Sequence, residues 1–379
     1  MTAYLDNAAT TPVWPEVAQA AVEAMTEGWH NPSSRYPDAA KATKTMEAHR
    51  AVVARALGCK ANEVVFTSCG TESDNWAIRG AVELNRRKGK HIITTAIEHS
   101  AVLAPIQALE KQGYEVTYLP VNREGTIDVA QFEQALREDT VLVSMMLVNN
   151  ELGTVLPVKE CVQILRRRGS GALFHCDGIQ GFLKIPCNVK TLGVDLFSIS
   201  GHKIHAPKGV GALYIRSGVK LPPMVLGGGQ ERGLRSGTEP TAQIAALAKA
   251  CELGMARQKD ALANMAGLKA YALDRIAAEV PQVVPIVSGD APHILALSMV
   301  GYKSEVLVRV LGDRGICVSA GSACHRGTPS HVYAALGLDK PTREGAFRVS
   351  FSGDSTKAEV DALIDGLNYA AKTLFPSMS

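Results

Sequence analysis

Between residues 60 and 250 the chain alternates short apolar, β-branched runs with stretches whose apolar positions recur at helical spacing. The runs at 64–67, 91–94, 116–119, 141–146, 172–175, 196–199 and 211–215 predict strands. Several are apolar at consecutive positions, as strands covered on both faces are. Helical spacing at 72–88, 101–112 and 159–168 follows strands closely. That alternation predicts βαβ units, and so a mostly parallel central sheet flanked by helices. A long amphipathic stretch at 242–278 leads into strands and helices at 293–300, 304–314, 316–320 and 347–351, which predict a smaller α/β domain. The expected organisation is a large domain over 14–255 and a small one built from 1–13 and 256–379. No repeat of solenoid length and no low-complexity tract interrupts this pattern.

Composition narrows the function classes. With 379 residues, 40 Lys+Arg and 37 Asp+Glu, the net charge is +3, and Arg166-Arg167-Arg168 is the densest basic run. No footprint for direct nucleic-acid binding results, and a small-molecule partner is expected. Apolar residues make up 46%, without an uninterrupted stretch of the roughly 18 needed to cross a bilayer, so no membrane role is expected. The start Met1-Thr2-Ala3-Tyr4-Leu5-Asp6 has no basic segment and no apolar leader, so a soluble, cytoplasmic chain is expected. The eight cysteines contain no Cys-x-x-Cys pair and read mostly as reduced core thiols. Cys324 differs, because Gly321-Ser322-Ala323-Cys324-His325-Arg326-Gly327 has the small, polar composition of an exposed loop. A zinc site of Cys324, His325 and His331 would need a further ligand pair that the sequence does not offer, so no metal is expected.

Candidate chemistry gathers at predicted strand ends. Lys203, in Ser200-Gly201-His202-Lys203, follows a buried strand at the place where open α/β sheets meet their ligands. Such a lysine can form a Schiff base with an aldehyde cofactor, although alone it reads equally well as a loop lysine. Asp177 ends another apolar strand with no cation nearby in sequence; it reads as a helix cap or as the partner of a protonated pyridine nitrogen, as in pyridoxal phosphate. Thr67-Ser68-Cys69-Gly70-Thr71-Glu72 is either a capping box or a strand–turn–helix cradle in which Gly70 and Thr71 donate to a phosphate. His99 is a surface histidine or one that stacks on a flat ring and relays protons.

The ordered blocks Tyr4-Leu5-Asp6-Asn7-Ala8-Ala9-Thr10-Thr11, Asn31-Pro32-Ser33-Ser34, Thr71-Glu72-Ser73, Glu98-His99, Asn149-Asn150-Glu151-Leu152-Gly153, Asp177-x-x-Gln180, Ser200-x-His202-Lys203, Arg235-Ser236-Gly237-Thr238 and Gly321-Ser322-Ala323-Cys324 resemble the cysteine desulfurases of the NifS/IscS type. These are class V members of the fold-type I aminotransferases, and the likeness runs from residue 4 to Arg348. It implies a fold-type I α/β architecture, pyridoxal phosphate as cofactor, L-cysteine as substrate and a homodimer. It also implies release of L-alanine with the sulfur held as a persulfide on Cys324, for a sulfur-acceptor protein such as an iron–sulfur scaffold or a tRNA-thiolation protein. Selenocysteine lyase and cysteine β-elimination lyase are the alternatives on the same fold.

By the same resemblance, Lys203 would carry the cofactor, Asp177 would face its ring nitrogen, and Gln180 and Asn150 its phenolic oxygen. His99 would lie on the ring face. Gly70, Thr71, Ser200 and His202 would bind the phosphate, with Thr238 contributed by the second subunit. Arg348, helped by Asn31 and Asn150, would hold the substrate carboxylate, a task that suits the planar guanidinium. The sequence departs from the family pattern at Cys69, where glycine is common, and at His205-Ala206, where Tyr-Gly is usual. The loop after Cys324 is about two residues short, which reduces its reach.

Overall fold

The structure, a computed structural model, describes residues 2–320 and 330–376, and the apolar runs become strands in it. After the short β1 (Ala3–Tyr4) come β2 (Val64–Thr67), β3 (His91–Thr95), β4 (Glu115–Leu119), β5 (Thr140–Met146), β6 (Leu173–Asp177), β7 (Leu196–Ser200) and β8 (Gly211–Ile215). These last seven form one sheet in the order β2-β8-β7-β6-β5-β3-β4. The pairs β4/β3, β3/β5, β5/β6 and β6/β7 are parallel, while β8 runs antiparallel to β7 and β2. The expected mostly parallel sheet is thus present, and β2, β3, β5, β6 and β7 all end at the same edge.

Both faces are apolar because both are covered. Ile93, Val143 and Phe174 pack into a cluster with Val162 and Leu165 of the helix Val158–Arg167. Their neighbours Ile92, Leu142 and Leu173 pack on the opposite face with Trp76 and Ile78 of the helix Gly70–Asn85 and with Val102 and Ile106 of Ser100–Glu110. Successive residues of one strand therefore serve two cores, which removes the alternation a half-exposed strand would show.

Beyond residue 280 lie β9 (Val283–Pro285), β10 (Ile294–Met299), β11 (Ile316–Cys317), β12 (Ser319–Ala320) and β13 (Ala346–Ser350). A second sheet runs β12-β13-β10-β9, and β1 pairs with β11 alone. The single helix Thr241–Glu279 sends Ile244, Leu247 and Cys251 into the core under the large sheet and Met265, Leu268 and Ile276 into the core of the second one. No helix among the described residues is long and apolar enough to cross a membrane.

The structure differs from the sequence reading at several places; the helices Val129–Ala135 and Lys357–Thr373 and the strand Val283–Pro285 had no counterpart in it. Residues 316–320 are not one strand: Ile316–Cys317 pair with β1, and Ser319–Ala320 pair with β13. With only two residues to offer, β1 cannot carry the pairing past Cys317. The helices Pro15–Thr26 and Pro37–Leu57, each opened by a proline in its first turn, had no counterpart in the apolar pattern. Pro15–Thr26 buries only Val17, so its packing against the long helix leaves little periodic trace.

One buried ion pair ties the second of these helices to the loop that carries Arg235 and Thr238. Arg50 Nη1 and Nη2 each donate to Glu231 at 2.7 Å, and Glu231 also accepts from the Phe66 N–H of β2 at 2.9 Å. Both residues are buried. Removing Glu231 leaves Arg50 with only the carboxylate of Glu47, bonded to its Nε at 3.1 Å, so Glu231→Ala is expected to lower stability by about 2–3 kcal/mol in urea denaturation. A loss below about 1 kcal/mol, the range of an exposed pair, would contradict this reading.

Candidate active site

The C-terminal strand ends converge on a cavity of about 560 Å³ lined by Gly70, Thr71, His99, Asn150, Asp177, Gln180, Ser200, His202, Lys203 and Arg348. Asn31 and Thr238 do not line it; both are exposed. They sit in neighbouring loops linked by Gln230, whose amide nitrogen approaches Ser33 Oγ at 3.5 Å and whose amide oxygen accepts from Gly237 N at 3.1 Å. Cys324 lies outside the described residues.

Lys203 sits in the 3-10 turn Gly201–Lys203 immediately after β7. Its Nζ donates to the carbonyl oxygens of Ala8 and Ala9, both at 2.7 Å. Gln180 Nε2 donates to the same Ala8 oxygen at 2.8 Å, and Lys184 Nζ donates to Gln180 Oε1 at 3.1 Å, so the amide is held from both ends. Thr11 N–H donates to His202 O at 2.9 Å, and Thr10 Oγ1 lies 3.2 Å from His202 Nδ1. The N-terminal segment is therefore a wall of the cavity, although it is nearly 200 residues from the lysine in sequence. Next along, His205 takes a left-handed φ of 66° and stacks on Trp14 at 4.2 Å, filling the position where the family pattern has tyrosine.

Asp177, the last residue of β6, is buried, and its Oδ1 accepts from Ile179 N–H at 2.9 Å. Burial, with the nearby charge of Asp74, pushes its carboxyl up to about 8 against the pull of His175 and Lys203. A protonated ring nitrogen beside it would supply a compensating charge and a donor. Behind it, His175 bridges Ser144 Oγ at 2.9 Å and Ser198 Oγ at 3.0 Å, with Asp74 Oδ1 3.4 Å from its Nε2. Burial pushes Asp74 up to about 7 and His175 down to about 4, so the proton of this pair rests on the carboxyl.

The helix Gly70–Asn85 begins at Cys69, whose side chain makes no capping bond. Glu72 in its first turn is neutralised by Arg235 (Nε to Oε1 2.9 Å) and is bonded by Ser68 N–H and Oγ. The expected capping box does not form, because the N-cap is Cys69 and Glu72 bonds Ser68 one residue before it; no side chain covers the helix start, which favours an anion there. A Cβ on Gly70 would lie 2.2 Å from Ile179 Cδ1 and 3.3 Å from Ser200 Cβ, so a larger residue there would have to push the Ile179 side chain aside. His202 is held neutral, pushed down to about 4 by burial and by Lys203. His99 caps the helix Ser100–Glu110, its Nδ1 accepting from Ala101 N–H at 3.1 Å; in the neutral ring this assigns the proton to Nε2.

These residues fit pyridoxal phosphate: a lysine amine, a buried carboxyl in need of a cationic donor, and a helix start that no side chain caps all face one cavity. Sequence reasoning had not singled out Glu98, Glu151 or Asp6. Glu98 is buried, accepts from Thr95 Oγ1 at 2.6 Å and Met146 N–H at 3.0 Å, and is pushed up to about 8 by burial. Glu151 accepts from Ser330 Oγ at 2.7 Å and is pushed up to about 7 by burial. Their adjacency to His99 and Asn150 was the available signal.

The family model described as aminotransferase class V matches residues 3–363. A relative named cysteine desulfurase from Trichormus azollae is 44% identical over 368 residues, 96% of this chain and 91% of its own. Cysteine desulfurase IscS of Clostridium botulinum (strain Hall) is 40% identical over 370 residues, 96% of this chain and 93% of its own. A solved structure titled NifS-like protein superposes with a TM-score of 0.93 at 36% identity, covering 99% of this chain and all of that one.

The buried carboxyls set a pH dependence. Asp177, Glu98, Asp74 and Glu151 keep protons up to about 7 or 8 in the fold, while an unfolded carboxyl loses its proton near about 4. The native state therefore binds more protons between these values, and stability falls as pH rises. His175 and His202, pushed down to about 4, act in the opposite sense, but only below the ordinary histidine range of about 6.5. The thermal midpoint of the cofactor-free protein should accordingly fall from about pH 6.5 to about pH 8, and Asp177→Asn should flatten the slope. A midpoint that rises over that interval contradicts the assignment.

Proposed function

Because the chain belongs to the class V aminotransferase family, as one of its cysteine desulfurases, we propose that this cavity converts L-cysteine to L-alanine with Lys203, Asp177, His99 and Arg348 as its working side chains. The observation that carries the reading is the meeting in one cavity of the Lys203 amine and the buried Asp177 carboxyl, pushed up to about 8. Bound there, pyridoxal phosphate supplies a carbonyl for the substrate amine and a ring that accepts the electron pair released at Cα. Gly70, Thr71, Ser200 and His202 hold its phosphate, Gln180 and Asn150 its phenolic oxygen, and Asp177 its ring nitrogen.

The free Lys203 amine would take the Cα proton; the Ala8 and Ala9 carbonyls bracket its Nζ. Arg348 and Asn150 hold the substrate carboxylate, while Asn31, the third residue expected there, does not line the cavity. The Cys324 thiolate then attacks the substrate sulfur. An S–S bond forms as the Cβ–S bond breaks, and the carbon fragment takes up protons, with His99 Nε2–H as a donor, and leaves as L-alanine. Atoms and electrons balance without an added oxidant, since two thiols become a persulfide and an alkyl group. The persulfide would pass to a sulfur-acceptor protein in the cytoplasm, an iron–sulfur scaffold or a tRNA-thiolation protein.

We further read the enzyme as a homodimer whose large domain spans 14–255 and whose small domain spans 1–13 and 256–379. Exposed Leu226 (83%), Trp29 (64%) and Met25 (57%) support a covered face near the loops of Asn31 and Thr238. In this reading Thr238 completes the phosphate site of the partner, so each site needs two chains.

Two measurements test this reading. Cys324→Ala should keep the cofactor absorbance and its change on adding L-cysteine, yet lose the persulfide and at least about a hundredfold in alanine formation. Alanine made at the wild-type rate would point to elimination or selenocysteine chemistry instead. Lys203→Ala and Thr238→Glu should each be inactive alone, but mixed subunits should regain up to about a quarter of wild-type activity through the one intact site of each hybrid. Two inactive variants that stay inactive after verified subunit exchange would overturn the shared site.

A further inference from the structure

Arg348 is already engaged without a substrate. Its Nη1 donates to Asn150 O at 2.6 Å, and its Nη2 donates to Asp6 Oδ1 at 2.9 Å and to Ser319 Oγ at 3.2 Å. Ser319 Oγ in turn donates to the same Asp6 oxygen at 2.8 Å, closing a triangle of arginine, aspartate and serine. Among the described residues Arg348 Nε is buried with no acceptor, and the residue lines the cavity.

Asp6 is itself rigidly placed. It bridges to Ser350 two residues beyond Arg348 on β13. Asn7 Nδ2 donates to Tyr4 O and Ser350 O, each at 3.1 Å, and Ala8 N–H donates to Ser350 Oγ at 2.9 Å. The same short segment therefore brackets Lys203 through Ala8 and Ala9 and Arg348 through Asp6.

We propose that Asp6 is a positioning residue for the amino-acid substrate: its carboxylate, braced by Ser319, holds the Arg348 guanidinium in place so that the α-carboxylate meets a donor group already ordered. Arginine keeps its charge beside an acid, and its remaining donors stay available for a second carboxylate. Ordering the long side chain before binding removes an entropy cost that the substrate would otherwise meet. The proposal rests on Arg348 being the carboxylate clamp and adds the group that sets its strength.

The test uses the cofactor-loaded enzyme with L-cysteine turnover, L-alanine binding, and binding of cysteamine, which lacks the carboxylate. Asp6→Ala should raise KM for L-cysteine and the Kd of L-alanine about tenfold with kcat within about twofold. Cysteamine binding should not change. Asp6→Asn, which keeps an acceptor oxygen at the same place, should recover most of the loss. Should Asp6→Ala fail to fold, Ser319→Ala decides by the same split at about twofold to threefold. A fall in kcat with KM unchanged, equal weakening of cysteamine and L-alanine, or no rescue by asparagine would each overturn the proposal. Arg348→Lys separates the two layers. If it leaves L-alanine binding intact the clamp reading falls; if it weakens binding while Asp6→Ala does not, only the role of Asp6 falls.

Discussion

A carboxyl taken out of water at the end of a buried strand is costly unless it keeps its proton or gains a cation with a donor. Asp177 is that carboxyl. The parallel strands bring it to the sheet edge, both faces of β6 are covered, and its neighbours Asp74 and Glu98 are themselves buried acids. In the cofactor-free fold the constraint is met by protonation. A protonated pyridine meets it better, because it supplies the charge and the hydrogen bond together. The placement of Lys203 one strand away, and of the uncapped helix start at Gly70 two strands further along the same side of the sheet, turns this local electrostatic demand into a binding site for one kind of molecule.

The N-terminal segment is the second structural necessity. Residues 6–11 cross from the small sheet to the cavity, and their carbonyls, hydroxyls and one carboxylate reach Lys203, Gln180, His202 and Arg348. The Lys203 amine and the Arg348 guanidinium are thereby referenced to one stretch of backbone.

The inner strands of the large sheet were legible because they fill two cores, leaving unbroken apolar runs between polar turns, whereas the edge strand β4 is half-buried. The lysine, aspartate, histidine and glycine of the site were legible because all four stand at strand ends, where open α/β sheets bind ligands. The helix Pro15–Thr26 was not, since it buries only Val17; Pro37–Leu57 was missed although Met46, Arg50, Val53, Ala54 and Leu57 are buried at helical spacing, because one of these five is an arginine and another an alanine. Contacts such as Asp6 with Arg348, Arg50 with Glu231 and Asp74 with His175 join residues about 100 to 340 positions apart and leave no local pattern. Asn31 and Thr238 show a different limit: within one chain they lie outside the cavity, and nothing in the local sequence marks them as distant from it.

The central claim is that Lys203 is the residue to which the cofactor is attached, opposite Asp177. Borohydride reduction of the purified holoenzyme, followed by peptide mass mapping, tests it most directly. The account predicts a pyridoxyl group on the peptide bearing Lys203, absent from an otherwise folded Lys203→Ala protein. A pyridoxyl group on another lysine, with Lys203 recovered unmodified, would contradict it.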